Sequence, residues 1–180
     1  MGGGADALLE VIERQAMPEL AARLPLDRGR QALWGHSLGG LFVLHALYAR
    51  TGLFETWAAA SPSLWWAQGA LLGEPERRFS AHNAGRPARV LVTLGGGERA
   101  RDTRHRDLSD PRVRTHLARI AAAPPDAAAR LASRLDALPG LDVEYREFDG
   151  LTHGPMFRAS LLHALHAIAG IADHSHAARP

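Results

Sequence analysis

The chain has 180 residues, of which 46% are hydrophobic and 22% charged, a balance typical of a soluble globular protein. The formal net charge is +2, and no apolar run approaches the roughly 18 residues that a membrane span needs. Because cysteine is absent, disulfides, thiolate catalysis and cysteine-ligated metals are excluded. We expect one domain over residues 1–180, with a frayed tail over 173–180, that binds neither nucleic acid nor membrane.

The first residues, Met1–Asp6, have neither the basic nor the apolar segment of a signal peptide. We expect a cytoplasmic or periplasmic location in a bacterium. From Asp6 to Arg23 apolar residues recur at three- and four-residue spacing, which predicts an amphipathic helix. Pro18 should kink or interrupt that helix.

Further along the chain, strand and helix patterns alternate. Apolar or alternating runs bounded by turn residues predict four strands: Arg30–Trp34, Trp57–Ala60, Arg89–Leu94 and Leu141–Glu147. Longer patterns predict three helices: Leu38–Arg50, Asp126–Leu138 and Phe157–Ile168. Between them, residues 98–125 are polar, Arg-rich and poorly periodic. The alternation predicts an α/β fold with a mainly parallel sheet and helices on both faces.

The segment Gly35-His36-Ser37-Leu38-Gly39 fits the G-x-S-x-G pattern of a nucleophile elbow. A predicted strand runs directly into it and a predicted helix runs directly out, which is the setting that the elbow requires. We therefore predict Ser37 as nucleophile and the Leu38 amide as an oxyanion donor, and expect side chains at Gly35 and Gly39 to collide with neighbours. The alternative is a glycine-rich turn that merely joins strand to helix.

A serine nucleophile needs a general base, and the chain has ten histidines. In this fold the partners follow in the order serine, acid, histidine, so the base should lie between the last strand and the last helix. His153 occupies that position. His36, inside the elbow, is a candidate for substrate binding or packing. For His45, His163 and His166 we expect packing or surface roles, and their spacing predicts no metal site.

The acid should follow the third predicted strand. Glu98 is the first carboxylate there, and Asp102 and Asp107 are alternatives; all three could instead be surface charges. Arginines cluster between Arg99 and Arg119 with aspartates interleaved. This mixture favours a solvated surface of both signs, and the alternative is a site for an acidic ligand.

A second motif, Ser61-Pro62-Ser63-Leu64-Trp65-Trp66, follows the second predicted strand. It should therefore lie at the same edge of the sheet as the elbow. Trp65 and Trp66 are candidates for the walls of a substrate pocket; the alternative is that both anchor the core.

Three segments, ALWGHSLGGLFVLHAL, AAASPSLWW and LTHGPMFRASLLHAL, resemble the esterase group of α/β-hydrolases that cleave catecholate siderophores, the enterobactin and salmochelin esterases. The opening GGGADALLEVIE matches the helix before the elbow in that group. The resemblance implies hydrolysis of the esters of a tri-serine scaffold through an acyl-enzyme on Ser37, with His153 as base and no cofactor. The implied partner is a small-molecule ester, and a ferric siderophore is one candidate for it. Some members of that group use a serine–histidine dyad, so the role of Glu98 stays open.

Members of that group also have a long segment before the elbow helix, with further strands and a loop that gives a second oxyanion donor. We therefore expect this chain to correspond to the C-terminal portion of such an esterase, with an open sheet edge that permits self-association. Two alternatives stay open. One is a related esterase or acyltransferase with another acyl substrate, and the other is a truncated, non-catalytic remnant.

Overall fold

The fold is that of a computed structural model, in which residues 4–99 and 107–171 are described. Its centre is one four-stranded sheet in which every neighbouring pair is parallel and the strands follow chain order. The strands are β1 (Ala32–His36), β2 (Thr56–Ala60), β3 (Ala88–Gly95) and β4 (Leu141–Phe148). The predicted mainly parallel α/β architecture is confirmed. The tail predicted to fray, 173–180, lies outside the described residues.

Helices flank and connect the strands. Their bounds are α1 (Ala5–Val11), α2 (Met17–Arg23), α3 (Leu38–Arg50), α4 (Glu74–His82), α5 (Gly96–Arg99), α6 (Pro111–Ala122), α7 (Ala127–Asp136) and α8 (His153–Ala169). Two short 3₁₀ segments, Arg28–Arg30 and Trp66–Leu72, complete the connections. Because parallel strands are joined by crossovers, the carboxyl ends of all four strands meet at one edge of the sheet.

The first predicted helix is interrupted, and Pro18 explains how. Between α1 and α2 the residues Ile12–Ala16 form a π-helical turn. Proline has no N–H to donate and its ring crowds the carbonyl four residues earlier, so the regular α-helical ladder cannot continue unchanged through this point.

Residues alternate between the two faces of the sheet. On β2, Trp57 and Ala59 join the large core cluster, which also contains residues of α3 and α7. Ala58, on the opposite face, packs with Leu91 and Ala164 of α8 in a smaller cluster. Helices therefore cover both faces, as predicted, with α8 on the face opposite α3 and α7.

Three helices, α4, α6 and the four-residue α5, were not predicted from the sequence. The polar stretch 98–125, described as poorly periodic, contains α6, whose first turn is capped by the Asp110 side chain accepting from the Arg112 amide at 2.7 Å. α4 buries Phe79 and the charged Glu76, which is paired with Arg134 of α7. α4 has only one large apolar residue, Phe79, so its sequence shows little helical periodicity. In α6, Val113, Leu117 and Ile120 do recur at helical spacing, a pattern that the interpretation of this stretch missed. The last helix, moreover, begins at His153 rather than at Phe157.

β1, the strand that leads into the elbow, is an edge strand of the described sheet and pairs only with β2 there. Its residues are correspondingly less buried than those of β2, which is buried throughout. Self-association through this edge stays a prediction. In the described ranges, no helix combines the length and the apolar character required to cross a bilayer.

Candidate active site

Ser37 lies at a sharp turn between β1 and α3 with φ 62° and ψ −118°. A non-glycine residue rarely adopts positive φ, and such strain persists only where neighbours hold it. Here the Ser37 amide donates to the carbonyl of Ala60 at 2.9 Å, which ties the turn to the end of β2. The strand–turn–helix geometry expected of the elbow is present.

The glycines around Ser37 differ in how closely the backbone approaches them. A Cβ on Gly35 would lie 2.3 Å from the carbonyl oxygen of Gly39, and one on Gly40 would lie 2.7 Å from that of Ala60. A Cβ on Gly39 would meet nothing within 4 Å. The expected collision at Gly39 is therefore wrong, because its α-hydrogens face open space; the second crowded glycine is Gly40.

Leu38 is the first residue of α3, and its side chain is half exposed. The first amides of a helix have no intrahelical acceptor and carry the positive end of the helix dipole. The Leu38 amide thus belongs to a group of donors that favours negative charge next to the Ser37 hydroxyl.

Glu98 and His153 are in direct contact. Oε2 of Glu98 lies 2.6 Å from Nδ1 of His153, so the carboxylate accepts a hydrogen bond from the ring. Glu98 is in the short helix α5 after β3, and His153 is the first residue of α8 after β4. A proton held on Nδ1 leaves Nε2 as the basic nitrogen.

Three donors surround the Glu98 carboxylate. Besides His153, the Ser61 hydroxyl donates to Oε1 at 2.5 Å and the Gly95 amide donates to the same oxygen at 3.0 Å. Burial by itself would raise the pKa of Glu98, but the hydrogen bonds from His153, Ser61 and Gly95 outweigh burial and lower it. The acid is therefore held as a carboxylate facing the imidazole.

His36 packs against His153. The two ring centroids are 4.5 Å apart, and the Phe157 ring lies 5.7 Å from that of His36. Burial and the nearby His153 lower the pKa of His36, which favours its neutral form. His36 is not among the residues that line the site cavity, and its role in substrate binding stays a prediction.

The Ser37 hydroxyl makes its hydrogen bond with the Ser63 hydroxyl, 3.2 Å away, and not with His153. Both Ser37 and His153 nevertheless line one cavity of about 400 Å³. Contacts between a nucleophile and its base are often loose before substrate binds, so this geometry is compatible with proton transfer between them.

The cavity joins this polar floor to apolar walls. Its polar lining includes Ser37, Ser61, Ser63, Glu98 and His153. Its apolar lining includes Leu64, Trp65, Leu117, Ile120 and Pro124. A concave apolar site with a few convergent polar groups is the usual form of a small-molecule pocket.

The two tryptophans have different environments. Trp65 lines the cavity, and its ring is 5.1 Å from that of His116 in an edge-to-face contact. Trp66 is 43% exposed and lies outside the lining residues. One wall of the pocket comes from α6, which supplies His116, Leu117 and Ile120. This wall was missed because the helix was not predicted. The Asp-Pro pair at 110–111, typical of a helix start, was the signal that could have found it.

The other candidates lie elsewhere. Asp107 hydrogen-bonds to Ser109 in an exposed turn, and Asp102 lies outside the described residues. Arg99 is paired with Glu147, which places one member of the arginine cluster in an ion pair. His163 is buried against Glu144, and His45 contacts Asp6. His166 lies in the last turn of α8.

A second, larger groove opens at the opposite edge of the sheet, by the turn that precedes β2 and the segment before β3. Tyr48, Phe79, Arg78 and Arg86 are among the residues that line it, and none of the predicted catalytic residues does. In the described ranges no three histidine or carboxylate side chains form a group that could hold a metal ion. The smaller cavity is the candidate active site.

Comparison with known proteins assigns the family. The family model described as "Putative esterase" matches residues 1–168. This chain is a member of that esterase family.

Relatives of the esterase-family chain carry siderophore-related names. It is 47% identical over 73 residues to the siderophore triacetylfusarinine C esterase of Aspergillus fumigatus, which is 40% of this chain and 25% of that one. It is 30% identical over 175 residues to the apo-salmochelin esterase of Escherichia coli, which is 93% of this chain and 47% of that one. Among solved structures, the siderophore hydrolase EstA of Aspergillus nidulans is similar, with 29% identity and a TM-score of 0.77. The match covers 94% of this chain and 58% of the EstA chain.

The esterase-family chain therefore spans about half, or less, of the length of these curated relatives. The matched region nevertheless includes the whole described sheet and the elbow, since the family model covers residues 1–168.

Proposed function

We propose that this chain is a serine esterase that hydrolyses carboxylic esters through an acyl-enzyme on Ser37, and that its substrate is a tri-serine catecholate siderophore. The observation that carries the proposal is the 2.6 Å contact between Glu98 and His153 beside the strained Ser37 turn in one cavity. A serine, a histidine and a carboxylate form the group used for acyl transfer on several unrelated folds; here the histidine–carboxylate contact is made and Ser37 lines the same cavity.

In the first half-reaction the Ser37 oxygen attacks the ester carbonyl carbon while its proton passes to Nε2 of His153. The imidazolium that forms is stabilised by the Glu98 carboxylate on Nδ1. The negative charge on the former carbonyl oxygen develops next to the amide of Leu38 at the head of α3. Collapse of this intermediate breaks the ester bond, and the alcohol leaves with the proton from His153.

In the second half-reaction water takes the place of the alcohol. His153 removes one proton from the water as the oxygen attacks the acyl carbon on Ser37. The bond to Ser37 then breaks, the serine recovers its proton from His153, and a carboxylic acid leaves. The cycle consumes one ester and one water, releases an alcohol and a carboxylic acid, and regenerates Ser37 and His153.

The siderophore substrate is inferred from two supports. The named relatives are siderophore esterases or hydrolases, and one of them is named for salmochelin. The cavity also has an aromatic wall, Trp65, and an apolar wall from α6, which suit a flat acyl group on a serine ester.

A fluorophosphonate probe tests the nucleophile without assuming a substrate. The chain should be labelled covalently at Ser37, and Ser37→Ala should not be labelled. Ser160→Ala is a matched control because Ser160 is also a buried serine but lies within α8. A folded chain that takes up no label would contradict the serine mechanism and favour a non-catalytic role.

The substrate class needs a second assay. Hydrolysis of enterobactin should exceed that of a short-chain p-nitrophenyl ester in kcat/KM. If only the simple ester is cleaved, the enzyme is an esterase of another substrate class. If the acyl group is passed to an added alcohol in preference to water, it is an acyltransferase.

A further inference from the structure

The chain segment that follows β2 holds the nucleophile through three hydrogen bonds. The carbonyl of Ala60 accepts from the Ser37 amide at 2.9 Å, and the Ser63 amide donates to the Ser37 carbonyl at 3.1 Å. The hydroxyls of Ser37 and Ser63 form the third bond, at 3.2 Å. Both the backbone and the side chain of Ser37 are thus fixed by this one segment.

The same segment holds the acid. The Ser61 hydroxyl donates to Oε1 of Glu98 at 2.5 Å, while Oε2 accepts from His153. The Ser61 amide donates to the carbonyl of Thr93 at 2.7 Å, which anchors Ser61 to β3 next to the helix that carries Glu98. Two residues apart in sequence, Ser61 and Ser63 therefore contact opposite ends of the proposed catalytic group.

The conformation of this segment is itself strained and enclosed. Ser61 has φ 42°, a value that non-glycine residues rarely adopt, and is only 3% exposed. Ser63 is 2% exposed. Buried hydroxyls that make specific contacts in a strained segment beside a cavity are typical of functional positions rather than of packing alone.

We propose that Ser61 and Ser63 are positioning residues that set the spacing between the nucleophile Ser37 and the acid Glu98. The proposal rests on the serine-esterase function proposed above. Ser63 directs the Ser37 hydroxyl into the cavity, and Ser61 fixes the carboxylate so that its other oxygen meets His153. Pro62 between them has a fixed φ, which limits the backbone conformations open to the segment that carries the two serines.

Alanine variants at the two serines test this role. With a p-nitrophenyl ester, Ser61→Ala and Ser63→Ala should each lower kcat about tenfold, the effect of one lost hydrogen bond on the transition state, while KM changes by less than about twofold. The control, Ser160→Ala, removes an equally buried serine hydroxyl on α8 and should leave kcat unchanged. If all three variants behave alike, the positioning role is wrong.

A double-mutant cycle provides a readout that a purely structural role would not change. Because Ser61 acts through the Glu98 carboxylate, Ser61→Ala should lower kcat by less than about twofold when Glu98 is already replaced by Gln. Ser63→Ala acts at the nucleophile, so it should still lower kcat roughly tenfold in the Glu98→Gln background. If Ser61→Ala lowers kcat by the same factor in the wild-type and the Glu98→Gln backgrounds, Ser61 does not act through Glu98.

A near-isosteric variant addresses loss of folding. Ser63→Cys preserves the size of the side chain and replaces the hydroxyl by a weak donor, so kcat should fall between those of the wild type and Ser63→Ala. If Ser63→Ala unfolds, a Ser63→Cys protein with unchanged kcat overturns the proposal. A wild-type chain that neither hydrolyses the ester nor takes up fluorophosphonate contradicts the proposed function itself, whereas an active wild type with fully active Ser61→Ala and Ser63→Ala contradicts only this inference.

Discussion

Oε2 of Glu98 lies 2.6 Å from Nδ1 of His153, although the two residues are 55 positions apart in sequence. They meet because β3 and β4 are parallel neighbours, so the segments that follow them leave the sheet side by side. The Ser61 and Gly95 donors on the other carboxylate oxygen turn Oε2 toward the ring.

Glu98→Gln should lower kcat by about 10²-fold or more, with a small change in KM. An amide can no longer hold the proton on Nδ1 of His153 or stabilise the imidazolium. Steady-state kinetics on the p-nitrophenyl ester give both constants. A kcat within twofold of the wild type would show that the enzyme works as a serine–histidine dyad.

The elbow glycines should respond differently to alanine. Gly35→Ala and Gly40→Ala place a Cβ against the backbone, and each should lower the free energy of unfolding by about 3 kcal/mol. Gly39→Ala faces open space in the first turn of α3 and should raise it by about 0.5–1 kcal/mol. Urea denaturation measures all three; equal destabilisation at Gly35 and Gly39 would contradict the observed contacts.

His36 should make the folded state sensitive to acid. Burial and the nearby His153 lower its pKa in the folded chain, so below about pH 6.5 the unfolded chain binds a proton that the folded chain does not. Stability contributed by this residue is thus present above that pH and falls as the pH drops toward the lowered pKa. In His36→Phe the drop in the urea midpoint between pH 7.5 and pH 5.5 should be smaller than in the wild type. The exposed His82 offers a control, since His82→Asn should preserve the wild-type drop.

Trp65 and Trp66 should separate binding from surface effects. Trp65→Ala removes an aromatic wall of the cavity and should raise KM for an aryl ester about tenfold, with kcat less affected. Because Trp66 lies outside the cavity, Trp66→Ala should change KM by less than about twofold. The reverse order of effects would mean that substrates approach from the Trp66 side.

The sequence was sufficient to predict the parallel sheet and to place Ser37, Glu98 and His153 at its carboxyl edge. Those predictions depend on strand order and on residues that directly follow strands, both of which leave a local pattern. The contacts of Ser61 and Ser63 leave none, because a hydroxyl that bonds to a carboxylate 37 residues away looks like any other serine. Likewise, the sequence does not show that the space next to Gly39 is empty while Gly40 is packed against the Ala60 carbonyl, because both depend on how α3 packs against β2.

The location of β1 at the margin of the sheet has a consequence for solvent exchange. Its pairing with β2 engages only one side of the strand, and the amides that point the other way have no acceptor in the described residues. Their deuterium uptake should be faster than that of the fully enclosed β2. Any polypeptide that docks along this margin would slow that uptake, so the rate provides a direct report on what lies next to the strand that leads to Ser37.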